Sequence, residues 1–229
     1  PTHLSSCHRE EGNLETSISL AREAVNLGPQ HFQANMELAL TLMTKRHFDE
    51  AIQYFVACSE IDATQLDPYL NLGDIHLKEG RPHQAIKAYE AALRIDNQLP
   101  LTLLNRGNAY HDIGENQKSI NSYLEALAID PLQAKAYFNL GVVFDDSGQY
   151  QKAIDSYGKA LKIEPNYIDA LYNQAITLKT VGEFSKSESN LRKCLEANSN
   201  HQDAINALAI VLLKKGDVES LIEFCDERL

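Results

Sequence analysis

Apolar residues recur along this chain at spacings of three and four, and the whole pattern returns every 34 residues. Within 134–167, Tyr137, Leu140, Val143 and Phe144 fall on one face of a predicted helix. After Gly148 the pattern restarts with Tyr150, Ala153, Ile154, Tyr157, Ala160 and Leu161, a second amphipathic helix. Each unit is therefore predicted to be a helix hairpin. The period runs without insertion or deletion and defines full units 32–65, 66–99, 100–133, 134–167 and 168–201. A partial unit, 1–31, precedes them and a shortened one, 202–229, follows. A period of this length predicts a single array in which each unit buries its apolar face against its neighbours.

Glycine and proline punctuate the same frame. Gly80, Gly114, Gly148, Gly182 and Gly216 stand where first helices must end, the place where a left-handed residue closes a helix. Gly12 falls on the same beat, and Arg46 fills the skipped one. Pro131 and Pro165 come just after second helices, and Pro68, Pro82 and Pro100 at helix starts, where a missing N–H does no harm. A second series, Gly73, Gly107 and Gly141, lies inside first helices, where each glycine costs about 1 kcal/mol against alanine. A repeated cost implies a repeated gain, here close approach of the hairpin's two helices. Ala39, Ala175 and Ala209 take the slot in other units, so small size is what it requires.

Composition narrows the function more than the fold. The 229 residues carry a formal net charge of −11, which argues against nucleic acid or an anionic membrane as partner. No apolar run approaches the roughly 18 residues of a membrane span, and no signal segment is legible at Pro1-Thr2-His3-Leu4. Both ends read as cut ends, the last falling inside a second helix at Phe224-Cys225-Asp226. Cys7, Cys58, Cys194 and Cys225 are scattered; Cys58 and Cys194 share a slot with Ala92, Ala126 and Ala160 and read as buried thiols of a reducing compartment, the cytoplasm.

The repeated residues resemble the tetratricopeptide repeat. That family's pattern appears in 134–167 as Tyr137, Leu140-Gly141, Phe144, Gly148, Ala153, Tyr157, Ala160 and Pro165. The 66–99 unit gives Tyr69, Leu72-Gly73, His76, Gly80, Ala85, Tyr89 and Ala92, with Asn97 in place of proline. The 100–133 unit gives Leu103, Gly107, Tyr110, Gly114, Ser119, Tyr123, Ala126 and Pro131. The last two units depart from it, with Leu191 and Cys225 where the second aromatic should stand. The resemblance implies an all-α, right-handed superhelical solenoid whose first helices line a concave groove for a protein or peptide ligand. It implies a non-catalytic scaffold or adaptor; the alternative is the substrate-recognition arm of a larger enzyme, such as a glycosyltransferase.

In such an array the stripe opposite the packed face of each first helix looks into the groove. Its sixth repeat position reads Asn71, Asn105, Asn139 and Asn173 in four consecutive units, with Glu37 before and Ala207 after. An Asn amide carries both donor and acceptor, so it can pair with a peptide backbone whatever the side chains. Helices about 8–10 Å apart would grip about every third residue of a strand rising roughly 3.3 Å per residue. The row resembles the asparagine ladder of protein O-linked N-acetylglucosamine transferases; a merely solvated polar stripe is the other reading. Beside it Met36, Leu70, Leu104, Phe138 and Tyr172 form an apolar row, either packed between helices or offered to an apolar ligand face. Asn108, Asp67, Asp74, Asp112, Asp145, Asp146, Asp169 and Asp203, against Lys78, Lys135, Lys179 and Lys214, complete the groove candidates.

Other chemistry is not legible. For a clamp on acidic chaperone C-termini, the window Leu104, Asn108, Asn139, Asp169 and Asn173 offers two fitting asparagines, but the cations are missing. His3, Cys7 and His8 could share a helical face but lack carboxylate support for a metal. His76 occupies an aromatic slot and reads as a packed residue, and His111 stands at the groove edge. No cofactor, metal or catalytic group is expected. Self-association remains open, because the C-terminus supplies only part of a polar capping face.

Overall fold

A computed structural model describes residues 14–226, so Gly12 and the His3, Cys7 and His8 group lie outside the described residues. Among the described residues there are thirteen α-helices and no strand. The chain divides into two compact units, 1–114 and 115–229. The first holds α1 (Leu14–Leu27), α2 (Phe32–Thr44), α3 (Phe48–Ile61), α4 (Asp67–Lys78), α5 (Pro82–Ile95) and α6 (Pro100–Asp112). The second holds α7 (Asn116–Ile129), α8 (Ala134–Asp146), α9 (Tyr150–Ile163), α10 (Ile168–Thr180), α11 (Phe184–Ala197), α12 (Gln202–Lys215) and α13 (Val218–Asp226).

Within each unit every helix packs on the next in sequence, and first helices of successive repeats also touch: α4 on α6, α8 on α10, α10 on α12. This is an all-α helical-hairpin repeat fold. The core of the first unit is built around Leu38, Leu42, Phe55 and Ile75, that of the second around Leu191, Leu208, Val211 and Leu212.

The punctuation acts as the sequence predicts. Gly80, Gly148, Gly182 and Gly216 adopt φ between 66° and 83°. In each case the following residue donates its N–H to the carbonyl five residues back, as Arg81 to His76 and Gln149 to Phe144, closing the helix in a Schellman motif. Arg46 makes the same turn at φ 63°, the one non-glycine with positive φ among the described residues. Pro68, Pro82 and Pro100 sit in the first turns of α4, α5 and α6.

The interior glycines also have their reason. A Cβ on Gly73 would lie 2.3 Å from Tyr89 Cε1, and one on Gly141 2.6 Å from the Tyr157 ring. The tyrosine of the second helix thus lies flat on the backbone of the first, and any side chain there would displace it. Between hairpins a short side chain closes the turn. Asp62, Asp96, Asp130 and Asn198 each accept the N–H two residues on, at 3.0, 2.8, 3.1 and 3.2 Å.

Cys58 and Cys194 are buried free thiols, and burial pushes the Cys58 thiol up to about 11. Among the described residues no helix is long and apolar enough to cross a membrane.

Candidate functional site

In the first unit the asparagine row meets a connected set of polar groups. Because Tyr89 lies on Gly73, its hydroxyl reaches the next residue of α4 and donates to Asp74 Oδ1 at 2.7 Å. Asn105, on α6, donates its Nδ2 to the same oxygen at 3.2 Å. A buried tyrosine, an exposed carboxylate and an amide of the next repeat are thereby joined. Burial, and then the Asp74 carboxylate, push the Tyr89 hydroxyl above the ordinary tyrosine range, while Asn105 donating toward its oxygen acts the other way. Asn71 is held within its own helix, its Nδ2 donating to the Asp67 carbonyl at 2.8 Å.

The second unit carries the same row without that linkage. Repeat position 9, occupied by Asp74 in α4, is Val142 in α8 and Ile176 in α10, both half-buried. Among the described residues the Tyr157 hydroxyl makes no hydrogen bond, although its ring rests on Gly141 as Tyr89 rests on Gly73. Adjacent first helices are tied elsewhere: Thr177 donates to Asp145 Oδ1 at 2.9 Å. Burial raises the Asp145 carboxyl above its ordinary value; Thr177 opposes that rise and neighbouring Asp146 adds to it. Asn139 and Asn173 are half-buried, and the Asn173 side-chain amide makes no hydrogen bond within the described residues.

The apolar neighbours are drawn into packing to different degrees. Leu104 and Met36 are only 2% and 7% exposed, so of the two readings of the row these positions follow the packed one. Leu70, Phe138 and Tyr172 are half-buried. Phe138 lies 5.8 Å from the Tyr157 ring and 5.1 Å from Tyr167, and Tyr172 stacks on His201 at 5.0 Å, so their rings serve the core on at least one side. The row of position 6 also ends in buried residues, Glu37 at 6% and Ala207 at 4% exposure. Asn108 is half-buried on α6, while Asp112 and Lys135 are exposed. Lys78 folds over the Phe48 ring at 5.0 Å.

Some contributions were not legible in the sequence. His31 and His201 cap α2 and α12, each Nδ1 accepting the N–H three residues on, at 3.2 and 3.3 Å. Gln174 replaces the usual leucine of its slot; it donates to the Ile154 carbonyl at 2.8 Å and accepts from Asn190 at 2.6 Å. His76 is half-buried with no hydrogen bond to Nδ1, and burial followed by the Arg81 charge pushes its pKa down. Among the described residues no three His, Cys, Asp or Glu side chains converge as metal ligands.

Comparisons with known proteins agree with this architecture. Models described as tetratricopeptide repeat match residues 8–63, 134–167 and 168–201, and one described as TPR repeat matches 73–114 and 107–145. Among curated proteins none matches the sequence. The crystal structure of MamA is 26% identical, with a TM-score of 0.69 over 72% of this chain and 97% of that one. YrrB, described as a TPR protein with an unusual peptide-binding site, is 17% identical, with a TM-score of 0.69 over 82% of this chain and 96% of its own. Pseudomonas aeruginosa pilF is 18% identical, with a TM-score of 0.70 over 84% and 88%. The last two likenesses speak to the fold alone. With repeat matches running from residue 8 to 63 and from 73 to 201, and with each hairpin built as described above, the chain belongs to the tetratricopeptide-repeat family.

Proposed function

We propose that this chain is a protein-interaction module in which the first helices of each unit hold an extended peptide segment. The observation that carries the reading is the asparagine row, half-buried at one repeat position: Asn71 and Asn105 on α4 and α6 of the first unit, Asn139 and Asn173 on α8 and α10 of the second. Packing within a hairpin does not require amides there, and an amide can pair with main chain of any sequence. The likeness to YrrB, with its peptide-binding site, supports the same reading. A net charge of −11 turns the choice of partner away from polyanions. The buried free thiols Cys58 and Cys194 support a reducing compartment such as the cytoplasm. The row's resemblance to the ladder of O-linked N-acetylglucosamine transferases goes no further than ligand binding, since no observation favours an enzyme's recognition arm.

A displayed library of random 12-residue peptides, selected on the purified chain, supplies the probe. Replacing Asn71, Asn105, Asn139 and Asn173 together with alanine is expected to weaken the selected peptides at least about tenfold, with helicity by circular dichroism unchanged. Equal affinity for the substituted chain would overturn the reading.

A further inference from the structure

The amides of the row are not equivalent, because the groups that hold two of them fix which end faces outward. An asparagine amide has a donor end and an acceptor end of nearly the same shape. Asn71 is held by a main-chain carbonyl and Asn105 by a carboxylate, and both of these can only accept. In each amide the nitrogen is therefore the tethered end. The two Oδ1 atoms take no hydrogen bond within the described residues, and each keeps its lone pairs for a ligand. Asn173 has no such tether and can turn either end outward.

We propose that Asp74 is a positioning residue that turns the Asn105 amide acceptor-outward, making the α4/α6 wall a reader of main-chain N–H groups in an extended peptide. This rests on the proposed reading of the row as a peptide site. Two features of the fold hold Asp74 to the task. The Tyr89 hydroxyl donates to the same oxygen that Asn105 uses, which fixes the carboxylate from the core side. Gly73 leaves the space that lets Tyr89 reach it. A ligand whose N–H groups face this wall satisfies it; one that presents only carbonyls there meets oxygen against oxygen. The wall thus selects the register in which an extended strand brings its N–H groups against it.

The test uses a peptide from the library selection whose binding depends on the asparagine row, remade as a series with single amide-to-ester replacements, each removing one N–H donor. One or two esters are expected to weaken binding to the natural chain about tenfold. The ester that faces Asn105 should change nothing for an Asn105→Ala chain, while one that faces Asn71 keeps its effect. Asp74→Val, which copies Val142, should lower affinity for the all-amide peptide and shrink the ester effect; Asp74→Leu, nearly the same shape but without an acceptor, should shrink it with folding intact by circular dichroism. If no ester weakens a row-dependent peptide, the donor-reading wall is overturned while the peptide site stands. If the ester effect survives both Asp74 substitutions, Asp74 does not position Asn105. If no selected peptide depends on the row, the peptide site itself fails, and the inference with it.

Discussion

The hairpins 66–99 and 134–167 share one device and part at repeat position 9. Both close their first helix with a glycine at positive φ, and both lay a second-helix tyrosine on a first-helix glycine. In the first, repeat position 9 is Asp74, and the tyrosine hydroxyl, the carboxylate and the Asn105 amide are linked. In the second it is Val142, and the tyrosine hydroxyl has no hydrogen-bond partner among the described residues. One side chain thus decides whether the packed interior of a repeat is connected to its outward face. Identical scaffolds carry different surfaces because the positions that fix packing and those that face outward are interleaved along one helix.

The largest effect should come from filling the space both hairpins share. Gly73→Ala and Gly141→Ala each place a methyl group inside the tyrosine's contact distance and should destabilise by about 1–3 kcal/mol in urea unfolding. The approach is closer at Gly73, 2.3 against 2.6 Å, and displacing Tyr89 also strains its bond to Asp74, so Gly73→Ala should cost more. The reverse order would place the difference between the hairpins in ring packing alone. Next comes the hydroxyl. Tyr89→Phe removes a real hydrogen bond and should lower stability by about 1 kcal/mol. Tyr157→Phe removes none and should stay within about 0.5 kcal/mol of the natural chain; equal losses would mean the Asp74 linkage contributes nothing.

The smallest effect lies away from both hairpins and serves as the electrostatic control. Glu188 on α11 binds Lys215 at 2.6 Å and Arg192 at 2.9 Å. Burial pushes its carboxyl upward, but those two cations outweigh burial and hold it below the ordinary value of 4.5. A carboxyl lowered by folding adds stability above its unfolded pKa and loses it as pH falls through the folded value. Thermal melts from pH 7 down to 3 should therefore show a slightly steeper loss for the natural chain than for Glu188→Gln, by no more than about 1 kcal/mol. A matching loss in both would remove this network from the acid response.

The sequence was informative wherever a residue type had one physical use. Glycine at the helix ends could only mean a left-handed turn, and small residues inside first helices could only mean close approach; both hold, at Gly148 and at Gly141. Arg46 shows the limit, since the frame rather than its residue type marks it as a turn. The outward positions were harder. The asparagine row is visible at a fixed spacing, but the hydrogen bonds of Asn71 and Asn105 depend on which neighbours reach them in three dimensions. Burial of Leu104 but not Leu70 follows from local packing that a shared repeat position cannot express. The caps at His31 and His201 went unread because histidine has many uses and only geometry selects among them.

The turns between hairpins have a consequence for how such a chain can change its length. Asp62, Asp96, Asp130 and Asn198 each close the joint with their own side chain, drawing on nothing outside the turn. A segment cut out between Asp62 and Asp96, or a copy inserted at either, leaves the same joint behind. Recombination in this frame can thus add or remove whole hairpins while preserving these turns, and the outward residues travel with the hairpin that bears them. The outward face then becomes something that can be shuffled as cassettes, each bringing its own version of position 9.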